Sequence, residues 1–231
     1  MPTISVDDHY LTVINLFSTD APGKQDKLLA AMREIVDSAA FPGWISSTVH
    51  SGQHSPGTAN FIQWRSGEDL EARYAGEEFQ HRTLPLFTEI TTSIKLLQTE
   101  PVFTQGSPGF GDVLEISPSR DDHTVIELIG VAQADLEELV DALGPSQDWL
   151  PDVPGYRSHV VLRGIAARGV DGAFVVVYSQ WDDKESYDAF QSVPEGAQSA
   201  GRQKTQARVD LLATSRELNT YRVVHSRAAA K

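Results

Sequence analysis

The chain contains no cysteine among its 231 residues. That excludes disulfides, thiolate metal sites and a cysteine nucleophile, and it fits a reducing compartment such as the cytoplasm. Long apolar runs are also missing. No stretch approaches the 18 residues of a membrane span, and "MPTISVDDHY" lacks the basic start and apolar core of a secretory signal. Basic residues are scarce, with 19 Lys and Arg against 32 Asp and Glu and a formal charge of −13. The excess is spread evenly: residues 1–104 carry −6 and residues 105–231 carry −7. A field of this sign repels phosphate backbones, so nucleic-acid binding is not expected, and the charge serves solubility. No Gly-rich loop of the phosphate-cradling kind follows a strand pattern, so no nucleotide cofactor is expected. Histidines 9, 50, 54, 81, 123, 159 and 225 are scattered; His50 and His54 straddle a turn rather than share a helix face, and no metal site is expected.

What the chain does contain is repetition. "DDH" occurs at Asp7–His9 and Asp121–His123, followed by the apolar runs "YLTVINLF" and "TVIELIGV". Helical patterns follow, through Leu28, Met32 and Val36 in one half and Leu136, Leu139 and Leu143 in the other. Asp20 is the expected N-cap of the first helix, with Pro22 in its opening turn. Matched turns "FPGW" and "VPGY" come next, then two strand-like runs that close in Gln-Trp at 63–64 and 180–181, then acidic helical segments, and a last strand near 94–103 and 217–225. The order β-α-β-β-α-β, read twice, predicts an α+β fold of two tandem ferredoxin-like domains, spanning 1–104 and 122–231. Residues 105–121, rich in Gly, Pro and Ser, read as a linker, within which "DVLEI" can form a short strand. Each unit leaves one sheet face apolar, so the two should cover each other as an intramolecular pseudo-dimer, a dimeric α/β-barrel within one chain; a further homodimer is left open.

Internal comparison separates architecture from chemistry. With the Gln-Trp pairs superposed, Asn60 meets Val177, Ile62 meets Ser179 and Trp64 meets Trp181. Asn15 meets Glu127 if the Val-Ile pairs are matched, or Ile129 if "DDH" is matched. Trp is therefore shared, and the strand asparagines belong to the first half alone. The first and third strands of such a unit are neighbours, so Asn15 and Asn60 should project together, with Trp64 roughly 13 Å along the strand. Asn is disfavoured in strands, and two amides beside an indole on an apolar face predict a pocket for a flat aromatic ligand.

At these residues the chain resembles the cofactor-independent antibiotic biosynthesis monooxygenases, and within them the anthrone oxygenases of aromatic polyketide pathways. The resemblance implies catalytic roles for Asn15, Asn60 and Trp64 and an inactive second half, which keeps only Trp181. Relatives also use a Tyr shortly after the Trp and an Arg on the second helix. Leu70 and Leu84 lie near those places here, and Tyr74, His81 and Arg82 on the capping helices, with Ile62 on the strand, are the expected substrate contacts. The implied reaction is oxidation of a small aromatic polyketide, an anthrone-like phenol, by molecular oxygen through a stabilised enolate, without metal or flavin. Ordered water, His50, His54 or His81 would take the proton. Three other readings remain: a non-oxidative polyketide cyclase, a ligand-binding module, and a haem-degrading relative that would need an axial histidine.

Overall fold

The computed structural model describes residues 2–111 and 113–229. Strands β1 (Thr3–Ile4), β2 (Leu11–Ser18), β3 (Trp44–Gly52), β4 (Gly57–Trp64) and β5 (Ser93–Gly106) belong to the first half, with helices α1 (Pro22–Ser38), α2 (Gly67–Ala75) and α3 (Leu84–Ile90). The second half repeats the series as β6 (Leu114–Glu115), β7 (His123–Val131), α4 (Leu136–Leu143), β8 (Tyr156–Arg168), β9 (Ala173–Trp181), α5 (Lys184–Gln191), α6 (Ala200–Leu212) and β10 (Ala213–Ala228). Eight strands close an antiparallel barrel in the order β10-β3-β4-β2-β5-β8-β9-β7. Within each half the first and third strands are neighbours, as the ferredoxin-like order requires. The expected pseudo-dimeric barrel is the fold of the chain.

The last strand of each half is longer than its apolar pattern suggests because it has two partners. β5 pairs with β2 of its own half and with β8 of the other. β10 likewise pairs with β7 and with β3. The inward residues of both halves, among them Ile14, Phe61, Leu97, Val160, Val176 and Tyr178, form one shared core. The outward apolar residues pack beneath the helices in separate clusters, one in the first half and two in the second.

Local chemistry is duplicated as well. Gly43 and Gly155 of the two Pro-Gly turns take φ of 75° and 77°, where a side chain is strained, and an added Cβ would overlap Asp69 or Ser186 at the start of the following helix. Those helices are capped at matching places, by Ser66 accepting from the Asp69 N–H and by Asp183 accepting from the Ser186 N–H. α1 departs from expectation: its N-cap is Ala21, without a side-chain cap, and Asp20 instead pairs with Lys24 at 2.9 Å. Pro22, whose fixed φ suits the first turn, starts this helix.

The Gln-Trp pairs have a division of labour. Each Trp points outward to the helices, and each Gln points toward the mouth of the barrel. Gln63 Nε2 donates to the Thr3 carbonyl at 2.8 Å, and Gln180 Nε2 donates to the Glu115 carbonyl at 2.9 Å. Ser46 and Ser158 hydroxyls donate to the two Gln Oε1 atoms. The carbonyls belong to β1 and β6, which pair with each other and insert Ile4 and Leu114 into the core, with Ile116 following just after β6. The segment read as a linker thus forms half of a plug. Gln180→Ala strands the Ser158 hydroxyl and the Glu115 carbonyl without their partner, and a loss of roughly 2–4 kcal/mol is expected. A urea midpoint equal to that of the parent protein would refute this role.

Candidate functional site

The register of β2 on β4 puts Asn15 directly opposite Asn60, with Val13 opposite Ile62 and Leu11 opposite Trp64. Side chains so paired lie about 5 Å apart at Cβ. Their face is the outside of the barrel, roofed by Met32 and Val36 of α1, Leu70 and Tyr74 of α2, and Phe79 and Phe87 beyond. Between sheet and helices lies a cavity of about 70 Å³ lined by Asn15, Asn60, Ile62, Trp64, Arg73 and Tyr74 among apolar neighbours.

Four buried polar atoms around this cavity have no hydrogen-bond partner: Asn15 Oδ1, Asn60 Oδ1, Trp64 Nε1 and the Tyr74 hydroxyl. An unpartnered buried polar group costs about 1–3 kcal/mol, so four together mark a place built for something other than stability. Burial pushes the Tyr74 phenol up to about 12, with the positive charge of Arg168 partly opposing, so it remains a proton donor at neutral pH.

Trp64 shows why a shared residue need not have a shared role. In the second half Trp181 Nε1 donates to Ser179 Oγ at 3.2 Å. Ile62 stands where Ser179 does, so the Trp64 indole N–H is left free. The second half also replaces the amide pair. Glu127 lies opposite Val177, as Asn15 lies opposite Asn60. Glu127 is therefore the counterpart of Asn15, and the alternative match to Ile129 is excluded.

Two of the expected substrate contacts are elsewhere. His81 and Arg82 are exposed on a π-helical turn, Phe79–Thr83, whose buried residues are Phe79 and Thr83. Phe79 and Thr83 take the inward positions of that turn, which leaves His81 and Arg82 on its solvent side. Arg73 takes the place of a cation at the site. Its guanidinium sits 4.0 Å from the centre of the Phe41 ring and 5.6 Å from that of Phe79, and its Nη1 lies 3.3 Å from Glu78. Burial lowers its pKa, with Glu78 opposing, yet a guanidinium stays charged at any ordinary pH. Its position three residues after Leu70 on α2 puts it on the buried face, a signal present in the sequence.

None of the candidate histidine bases faces the cavity. His50 pairs with Ala59 across the strands and points into the barrel, where its Nε2 meets the Tyr178 hydroxyl at 2.9 Å and its Nδ1 the Ala59 carbonyl at 3.2 Å. His54 lies in the exposed β3–β4 turn. Burial lowers His50 to about 4, and His159, enclosed by Tyr156 and the Leu143 carbonyl, to about 4 as well. Both are neutral in the folded chain. Between an unfolded value near 6.5 and a folded value near 4 the unfolded chain binds more protons, so stability is full above that window and falls as pH drops through it. Each histidine contributes up to about 3 kcal/mol to that loss. Urea midpoints measured from pH 7 to pH 4 should decline steeply, and His50→Gln should make the decline shallower; parallel profiles would refute the assignment.

Among the described residues no group of three or more His, Asp or Glu side chains is placed to hold a metal ion, and no helix is long and apolar enough to cross a membrane. No family model and no curated protein matches the chain. Solved structures do. An anthrone oxidase-like protein is 53% identical over 100% of this chain and 98% of its own, with a TM-score of 0.97. A candidate monooxygenase of Lactobacillus acidophilus (14% identity, 95% of this chain and 96% of its own, TM-score 0.56) shares the fold, as does one of Fusobacterium nucleatum (10%, 95% of each, TM-score 0.61). With its doubled ferredoxin-like barrel and its full-length match at this identity, the chain belongs to the family of anthrone oxidase-like proteins.

Proposed function

We propose that the first repeat oxidises an anthrone-like phenol to a quinone with molecular oxygen and no cofactor. The observation that supports this reading most is the set of unpartnered polar atoms of Asn15, Asn60, Trp64 and Tyr74 around an apolar cavity. The relative at 53% identity, named anthrone oxidase-like, points the same way.

The substrate supplies the electrons. Loss of a proton from the central CH₂ gives a delocalised enolate. The enolate passes one electron to O₂, and the radical pair joins at that carbon as a hydroperoxide. Expulsion of water, with loss of the second C–H proton, leaves the carbonyl: CH₂ plus O₂ becomes C=O plus H₂O. The protein's task is to favour the anion and keep it flat and dry. The Asn15 and Asn60 amides offer N–H groups to the developing oxyanion, as in an oxyanion hole. Either amide presents donor or acceptor by a half-turn of its side chain. Trp64 N–H and the Tyr74 hydroxyl donate to the peroxide or to a second substrate oxygen. Arg73 adds a fixed positive charge. Among the described residues no side-chain base lines the cavity, so water takes the proton, and the lowered substrate pKa does the rest.

A cavity of about 70 Å³ is far below the roughly 300 Å³ of common ligand sites. A tricyclic substrate therefore enters as the outer wall of Phe41, Arg73 and Phe79 swings away; the irregular π-helical turn beside it is the natural hinge.

An oxygen electrode tests the reading. With an anthrone, uptake of one O₂ per quinone formed is expected, in metal-chelated buffer. Arg73→Met should lower kcat/KM by about 10–100-fold, by losing anion stabilisation. Conversion of a polyketide without oxygen uptake would instead identify a cyclase.

A further inference from the structure

The second repeat has its own cavity at the equivalent place, between α4, α6 and the outer face of the barrel. It is about 400 Å³, which already lies within the usual range for ligand sites. Its floor is Trp181, and its side walls are Tyr187, Phe190 and Trp149, with Trp181 and Phe190 centroids 4.9 Å apart and Trp149 stacked on Phe190 at 20°. Flat aromatic walls of this kind suit a flat aromatic guest.

The polar groups differ from those of the first cavity in a way that selects the guest. Glu127 replaces Asn15 and is an acceptor only; Arg216 Nε holds it at 2.7 Å, and Arg216 is shared with Asp210. Val177 replaces Asn60, and the Trp181 N–H is spent on Ser179. Two guanidiniums also line the cavity, but both are engaged, Arg216 by Glu127 and Asp210 and Arg202 by the ring and carbonyl of Phe190, and the Glu127 carboxylate would oppose an enolate beside it. A neutral hydroxyl can instead donate to Glu127. The buried N–H of Trp149 has no partner, and so offers a donor to a carbonyl oxygen. Acceptor on one side and donor on the other match a ring system that carries both hydroxyl and carbonyl groups.

We propose that the second repeat is a binding site for an uncharged, planar, hydroxylated quinone, held without chemical change. That this guest is the product of the first repeat rests on the oxygenase reading; the existence of the site does not.

Calorimetric titration of the full chain with a dihydroxyanthraquinone tests it. Two sites per chain are expected. Val177→Trp, which fills the second cavity, should leave one site and unchanged oxygen uptake with an anthrone. Ile62→Trp, which fills the cavity of the first repeat, should remove uptake and leave the other site. Trp149→Phe keeps the wall and removes the donor, and should weaken the second site by about fivefold or more. A single site in the parent protein overturns the proposal, as does a second site insensitive to Trp149→Phe, or loss of uptake in a folded Val177→Trp chain. Two sites without oxygen uptake from any anthrone would instead retain the site and reject the oxygenase.

Discussion

Alanine at Asn60 should lower anthrone turnover by about 100–1,000-fold, the usual consequence of removing one oxyanion donor. Asn60 is one of a directly cross-paired set of amides, and its Oδ1 has no partner in the protein. The amide is thus free to turn either end toward a ligand. The same substitution should raise stability slightly, by up to about 1 kcal/mol, because it removes an unpartnered polar group from a buried face. Opposite signs in the two measurements distinguish a functional amide from a structural one. Asn60→Asp should fare worse than alanine, since a carboxylate there repels the enolate. Oxygen uptake and urea denaturation on the same preparations give both numbers. Full turnover in a folded Asn60→Ala chain would sink the assignment of Asn60; a stability loss of several kcal/mol would make it a framework residue.

Residues 1–104 expressed alone should yield no folded monomer. In the intact chain β5 lies against β8, and β3 lies against β10. Removing the second half exposes both edges, together with the inward faces that carry Ile14, Leu16, Phe61 and Leu97. Exposed edges and an open apolar face drive association. The expected products are aggregate, or a symmetric dimer in which each β5 pairs with the other chain's β3. Light scattering with circular dichroism decides between them. A monomer with cooperative unfolding would show that the halves are independent units.

The repeat was legible in the sequence because period-2 strands, Pro-Gly turns and Gln-Trp pairs depend on local chemistry that each half must satisfy separately. The one misleading anchor was "DDH". Strand register makes Leu11, not His9, the counterpart of His123; His9 corresponds to Asp121, and both carry positive φ, 53° and 54°. The backbone conformation was duplicated and the letters were not. Asn15, Asn60 and Trp64 could be read as a constellation because polar residues on an apolar strand face are conspicuous. Ile62 and Tyr74 also line the cavity. His81 and Arg82 were named from the family resemblance, which cannot foresee the π-helical turn that turns them outward. Arg73 was overlooked for a different reason. An Arg in an acidic helix reads as solvated, and its spacing from Leu70, together with its stacking on Phe41, shows otherwise. The free indole of Trp64 required a comparison with Ser179, two residues upstream of its twin.

The crossing of β10 onto β3 also sets a timetable during synthesis. Gly52 pairs with Tyr221, and Ser46 with Ala228. At about 5–20 residues per second, the β3 edge waits roughly 10–30 s after emerging from the ribosome before its partner exists. Through that interval the open side of the first repeat is guarded only by what the edge itself carries. β3 reads "WISSTVHSG", with Ser, Thr and His between its apolar residues. Such an edge is a poorer template for foreign strands than a run of valines and isoleucines would be.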